Sequence, residues 1–194
     1  MSGIRWEKDI ETALEKAKAM RRPIFQDFWF DGCVGCAKMD LGPYSDPSVI
    51  DFINADFVPV RTFSDLDNPS DPVVRMAVKW TPTFFILDAE GKNHHWFVGY
   101  VPAEDLFAHL WLGKAKILYD AGRHAEAIPV FSTILDRYPD AGVAPEAAFL
   151  RGVSGYRSAR DPKELRKAYD LLVERYPRSE WARRAEPYAA FPAA

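Results

Sequence analysis

The feature that most constrains this chain is Cys33-Val34-Gly35-Cys36, its only two cysteines in 194 residues, placed directly after the apolar run Ile24-Phe25-Gln26-Asp27-Phe28-Trp29-Phe30. The run reads as a buried strand, and the spacing predicts a helix from Val34 to Leu41, broken by Gly42-Pro43. Strand, short turn and a helix opening inside the motif put one thiol at the positive end of the helix, with the second a turn behind it. Unpaired backbone N–H groups and the helix dipole stabilise a thiolate at that position. Thiol–disulfide exchange needs such a pair: a thiolate attacks a disulfide sulfur and a second thiol resolves the mixed disulfide. Cys33 is the expected nucleophile and Cys36 the resolver. The competing readings are an inert pair and a metal site. Structural zinc takes four ligands where this motif offers two. The other candidate pair, His94-His95, sits on a strand, where successive side chains point to opposite faces.

Composition narrows the class. The hydrophobic content of 48% is that of a globular protein. No apolar stretch approaches the length of a membrane span. The start, Met1-Ser2-Gly3-Ile4-Arg5-Trp6-Glu7-Lys8-Asp9, lacks the apolar core of a secretory signal. The expected location is cytoplasmic, or periplasmic if a leader has been removed. Two cysteines in such a chain do not make a disulfide framework. Residues 1–112 carry 11 Lys and Arg against 17 Asp and Glu, a balance of −6, and residues 113–194 carry 14 against 11, a balance of +3. Solvated surface explains this distribution; docking of the basic half on an acidic surface is the alternative. No block of like charges supports nucleic-acid binding.

Along the chain, Ile10, Ala13, Leu14 and Ala17 mark a helix that ends before Pro23. Ser45-Asp46-Pro47 predicts a capped helix to about Asn54, and Phe57-Val58-Pro59-Val60-Arg61 an edge strand. Residues 64–72 read as loop and Val73 to Val78 as a short helix. Thr83 to Leu87 and His95 to Val98 form a hairpin about Asp88-Ala89-Glu90-Gly91, and Pro102-Ala103-Glu104 opens the next helix. This order implies a mixed sheet with helices on both faces. From 103 to 186 the pattern is helical and repeats at an offset of 38: Arg137-Tyr138-Pro139 recurs as Arg175-Tyr176-Pro177, Phe131 as Tyr169, and Trp111 as Phe149. Such self-similarity marks helix-hairpin repeats, here 103–121 with 124–137 and 144–159 with 162–175, and a half-unit at 179–186.

Asp27-Phe28-Trp29-Phe30-Asp31-Gly32-Cys33-Val34-Gly35-Cys36 and Thr81-Pro82-Thr83 resemble the strand, active site and cis-proline segment of the thioredoxin superfamily. Tyr44-Ser45-Asp46-Pro47-Ser48-Val49 and Gly99-Tyr100 are most similar to the C-terminal reductase domain of DsbD-type proteins. Gly32 departs from the family's usual tryptophan, and Ala37, not lysine, follows Cys36. The resemblance implies a thioredoxin-like α/β domain over residues 1–112, a cis Thr81-Pro82 bond, and a Thr81 backbone that pairs with an extended substrate. It makes Thr81, Pro82, Trp29, Gly32, Val34 and Gly35 candidate substrate contacts, with Trp29 equally readable as core. On residue type alone Asp27 is a solvent-facing strand acid. The resemblance instead makes it a buried carboxylate that accepts a proton from Cys36 during resolution. Arg61 stands roughly where the family often has a lysine near the acid, and reads by itself as a strand-end surface charge.

Residues 103–186 resemble tetratricopeptide repeats through Trp111, Ala115, Ala127, Phe131, Ile134 and Pro139, then Phe149, Val153, Leu165, Tyr169, Leu172 and Pro177. Gly122 supplies the turn glycine of the first unit; the second lacks one. The expected second domain is therefore all-α, residues 113–194, with the helix at 103–121 shared. The combined resemblance implies a protein-disulfide oxidoreductase serving cell redox homeostasis. It works through the Cys33–Cys36 disulfide, without a metal or other cofactor, on protein disulfides, with electrons supplied by an upstream thiol reductant. The helical repeats would bind a peptide or protein. The alternative is a binding module or holdase chaperone whose redox activity is secondary.

Overall fold

The computed structural model describes residues 3–64 and 78–193. The short helix expected from Val73 lies outside the described residues apart from Val78. The chain packs as two compact units, Met1–Gly113 and Lys114–Ala194.

In the first unit, helix α1 (Ile10–Met20) begins where the Asp9 carboxylate accepts the Thr12 N–H at 2.7 Å, satisfying an amide that has no partner in the first turn. Strand β1 (Ile24–Trp29) lies inside a four-stranded sheet of order β2-β1-β3-β4. β2 (Val58–Phe63) runs parallel to β1, whereas β3 (Thr83–Leu87) and β4 (Asn93–Val98) follow antiparallel. β2 is an edge, as Pro59 predicts, and Glu7 bridges to its outer side, through Glu7 N–H to Pro59 C=O at 2.8 Å. Between β1 and β2 lie α2 (Val34–Leu41), a 3₁₀ turn (Pro43–Ser45) and α3 (Pro47–Asp56), whose first turn is capped by Asp46.

The central position of β1 explains its composition. Ile24 and Phe28 point to one face and pack with Ala13 and Ala17 of α1, Val58, Val60, Phe85 and Leu87. Phe25 points to the other, stacked on Phe84 with centroids 5.8 Å apart, and Phe84 in turn stacks on Phe97 at 4.6 Å. Asp27 shares the Phe25 face by the two-residue period of the strand. Helix α4 (Ala103–Asp120) covers that face at Gly113, where a Cβ would come within 2.5 Å of Ile86; only glycine permits the approach.

The second unit contains α5 (His124–Arg137), α6 (Ala144–Ala159), α7 (Lys163–Arg175), α8 (Glu180–Ala185) and a 3₁₀ turn (Glu186–Ala190). The 38-residue repeat is visible in its backbone. Tyr138 ends α5 at φ −134°, ψ 51°, and Tyr176 ends α7 at φ −131°, ψ 48°. Gly122 turns the chain at φ +74°, and at the same place in the next repeat Arg160 adopts φ 58°. The missing turn glycine has thus not changed the turn; an arginine takes the left-handed conformation. The Tyr176 hydroxyl donates to Pro139 C=O at 2.9 Å, tying one repeat end to the other. Phe149 packs on Trp181 and Tyr188, whereas Trp111, its counterpart in the repeat, packs on Phe52 in the first unit.

Candidate active site

The turn Asp31-Gly32, with Gly32 at φ +83°, ends β1 and delivers Cys33 to the N-cap of α2. There the Cys36 backbone N–H donates to Cys33 Sγ at 3.1 Å. A first-turn amide that would otherwise go unpaired is thereby aimed at the sulfur, the arrangement that favours a thiolate. The two cysteines form a disulfide, with Cα atoms 5.3 Å apart. In this oxidised form Cys33 is 8% and Cys36 3% exposed. Both are thus buried in the disulfide, Cys33 slightly less than Cys36, where the sequence reading expects one exposed thiol.

Thr81-Pro82 is cis. Pro82 sits directly against the motif: a Cβ on Gly35 would lie 2.8 Å from Pro82 Cδ, so the contact requires a glycine at position 35. The Gly99 N–H donates to Pro82 C=O at 2.8 Å, and the Thr83 hydroxyl to Trp80 C=O at 2.7 Å, fixing the segment at the head of β3. Thr81 itself is buried, and its hydroxyl has no hydrogen-bond partner among the described residues.

Asp27 is fully buried rather than solvent-facing. Its Oδ2 accepts the Tyr44 hydroxyl at 3.2 Å and the Arg61 Nε–H at 3.1 Å, while Oδ1 has no partner among the described residues. Burial pushes the carboxyl up to about 7, against the pull of the Arg61 charge and the Tyr44 hydrogen bond. Burial and the neighbouring carboxyl push the Tyr44 phenol well above its ordinary value.

Arg61 corrects a sequence expectation. It is a half-buried cation that pairs with Asp27 on one side and with Asp40 at 3.0 Å on the other. Its guanidinium carbon lies 5.2 Å from the Trp29 ring, 5.7 Å from Trp6 and 5.8 Å from Tyr44. Burial works against its charge, but Asp27 and Asp40 outweigh it and raise the affinity for the proton. The pairing follows from register. Ile24 faces Val58 across the parallel strands, so Asp27 faces Arg61. An acid and a base at the same ordinal place in two strands are the sequence signal of this pair. Tyr44 and Asp40 carried no comparable signal.

Beside the disulfide opens a cavity of about 340 Å³, walled by Trp29, Phe30, Gly32, Cys33, Val34 and Ala37, with Asp40 and Arg61 on its polar side. The structure thus gathers Trp29, Gly32, Val34 and both cysteines round one cavity, with Gly35 and Pro82 in contact at the motif. His94 and His95 go elsewhere: His94 bonds Asp88 at 2.9 Å and His95 bonds His109 at 2.9 Å. Among the described residues no group of three or more His, Cys, Asp or Glu is placed to hold a metal ion. Nor is any described helix long and apolar enough to cross a membrane.

The family model for a thioredoxin-like domain matches residues 10–113, and that for a tetratricopeptide repeat matches 103–142 and 112–180. No curated protein matches the chain. Among solved structures, a thioredoxin from Thermus thermophilus is 28% identical over 56% of this chain and 85% of its own, with a TM-score of 0.48. DsbH oxidoreductase is 23% identical over 51% and 78%, at 0.42. The reduced C-terminal domain of DsbD from Neisseria meningitidis is 18% identical over 54% and 93%, at 0.41. With more than half of its length matched by the one family model and the Cys33–Cys36 disulfide at the head of α2, the chain belongs to the thioredoxin-like family and carries tetratricopeptide-type helices after that domain.

Proposed function

We propose that this protein is a thiol–disulfide oxidoreductase that reduces protein disulfides. The observation that carries the reading is the Cys36 amide donating to Cys33 Sγ at the head of α2, beside an open cavity. In the reduced protein the Cys33 thiolate attacks a client disulfide. A bond forms between Cys33 Sγ and one client sulfur, the client S–S bond breaks, and the departing thiolate takes a proton from solvent. Cys36 then gives up its proton and attacks Cys33 Sγ. The internal disulfide forms, the second client thiol leaves, and two electrons have passed to the client. An external dithiol restores the pair.

Asp27 is the proposed acceptor of the Cys36 proton. A carboxyl near pH 7 both takes and returns a proton at neutral pH, and its unpartnered Oδ1 leaves an acceptor site open. Pro82 and the Thr81 backbone form the other lip, where an extended client segment adds as a strand. The proposed division of labour assigns this chemistry to a domain of residues 1–112 and client recruitment to the helices that follow. Recruitment is supported by the repeat match and by a cavity of about 200 Å³ among α5, α6 and α7 that Arg151 and Lys167 line.

Purified protein with dithiothreitol as donor is expected to reduce a protein disulfide. Cys33→Ser should abolish turnover, and Cys36→Ser should accumulate mixed disulfides with clients. Wild-type turnover from Cys33→Ser would remove Cys33 from the nucleophile's role.

A further inference from the structure

Arg61 is held on two sides by different carboxylates. Its Nε–H donates to Asp27 Oδ2 at 3.1 Å, and its two terminal nitrogens meet the Asp40 oxygens at 3.0 and 3.2 Å. The inner carboxylate is buried and the outer one half-exposed, with the guanidinium between them. The centroids of the Trp29, Trp6 and Tyr44 rings lie within 5.8 Å of the guanidinium carbon and hold it in place. Asp40 lies one turn beyond Cys36 on α2, so the helix that carries the resolving cysteine also carries the outer acid.

Resolution makes a demand on this pair of acids. When Asp27 takes the Cys36 proton it loses its charge, and Arg61 would then be a half-buried cation without a counter-ion. An unpaired charge shielded from water is unfavourable, so such a cation opposes the proton transfer. Asp40 removes that opposition, because its bidentate pair with the far edge of the guanidinium persists when the inner carboxyl becomes neutral. We propose that Asp40 is a positioning residue for resolution, whose carboxylate keeps Arg61 paired so that Asp27 can take the Cys36 proton and return it. The proposal rests on the oxidoreductase reading and specifies how the same site is tuned. The proton passes from Cys36 Sγ to Asp27, the freed electron pair forms the Cys33–Cys36 bond, and the client sulfur leaves with the pair of the bond that breaks. The groups around Asp27 divide by sign. Burial and Asp40 of α2 favour the neutral acid, whereas Arg61 of β2 and Tyr44 of the 3₁₀ turn favour the anion.

The test isolates resolution in the full-length protein. A mixed disulfide between Cys33 and a chromogenic aryl thiol is formed at low pH, the pH is jumped, and release of the aryl thiol by Cys36 is followed at each final pH. The midpoint of the rate profile in Asp40→Asn should lie about one unit below that of wild type, because Arg61 then acts on Asp27 alone. Asp40→Glu, which keeps the carboxylate, should restore the wild-type midpoint. In the Arg61→Met background, whose own midpoint lies alkaline of wild type, Asp40→Asn should move it little. An unmoved or alkaline midpoint in Asp40→Asn, a midpoint in Asp40→Glu that matches Asp40→Asn, or a full shift in the Arg61→Met background would overturn the role of Asp40. A wild-type mixed disulfide that releases no thiol at any pH would instead overturn the oxidoreductase reading, and this role with it.

Discussion

The sheet unit and the helical unit solve the same problem, holding chain segments together, in opposite ways. In the sheet unit the decisive contacts occur once and join residues far apart in sequence: Asp27 with Arg61 and Tyr44, Gly35 with Pro82, Gly113 with Ile86. One of these contacts buries an ionisable acid. The helical unit reuses one local conformation at a 38-residue spacing, in the Tyr138 and Tyr176 ends and the Gly122 and Arg160 turns. It closes its helices by omitting side chains, since a Cβ on Gly152 of α6 would lie 2.2 Å from the Ala168 Cβ of α7. The comparison teaches that the unit proposed for chemistry accepts a stability cost at one position, while the repeat unit carries its costs in steric fit.

The largest effect that could break this contrast is pH-dependent. Asp27 has its carboxyl raised by burial from 3.8 to about 7. The stability contributed by the neutral buried acid is therefore complete below pH ~4 and is lost as pH rises through about 7. Asp27→Asn should remove that loss, leaving the variant more stable than wild type by up to about 4 kcal/mol near pH 8 and little different at pH 4. Urea unfolding at the two pH values reads this directly; equal differences at both would mean that Asp27 is not the titrating group. Exchange activity of the same variant should fall, because Asn accepts no proton.

Next in size is the steric test in the helical unit. Gly152→Leu should destabilise that unit by about 3 kcal/mol, since α6 and α7 must separate to admit the side chain. Hydrogen exchange resolved by segment should show the loss in α6 and α7; unchanged protection there would contradict the close approach. A smaller effect sharpens the electrostatic side. Arg61→Met removes the charge that holds Asp27 down, so the midpoint of the pH–activity profile should move alkaline by about one unit. The smallest concerns the turn. Arg160→Gly relieves a left-handed conformation that a side chain disfavours and should stabilise by about 0.5–1 kcal/mol, measured by thermal unfolding.

What was legible in the sequence follows the same division. Local signals gave the elements: the Asp46 cap, the break at Gly42-Pro43 and the edge position of Pro59 depend on residues close in sequence, and the repeat on a fixed offset of 38. The cysteine motif was legible because its spacing and its place after a strand are one local pattern. The burial of Asp27 was implied by the family resemblance but not by residue type, and its partners were not legible. Its burial follows from β1 lying between β2 and β3, and its cation from the register that sets Arg61 opposite it. The same holds for Gly35, named from the resemblance as a candidate substrate contact, which proves to be the point where Pro82 touches the motif. The cavity was foreshadowed by Gly32 standing where the family has tryptophan, but its apolar walls come from the end of β1 and from α2, with Arg61 of β2 on its polar side.

The central claim is that Cys33 is the activated thiol of the pair. Its most direct test is the pH dependence of alkylation of the fully reduced protein, with each cysteine followed separately by peptide mass spectrometry. Cys33 should react first, with an apparent pKa at least one unit below the ~8.5 of a free cysteine. A value of 8.5 or above for Cys33, or prior reaction of Cys36, would contradict the account.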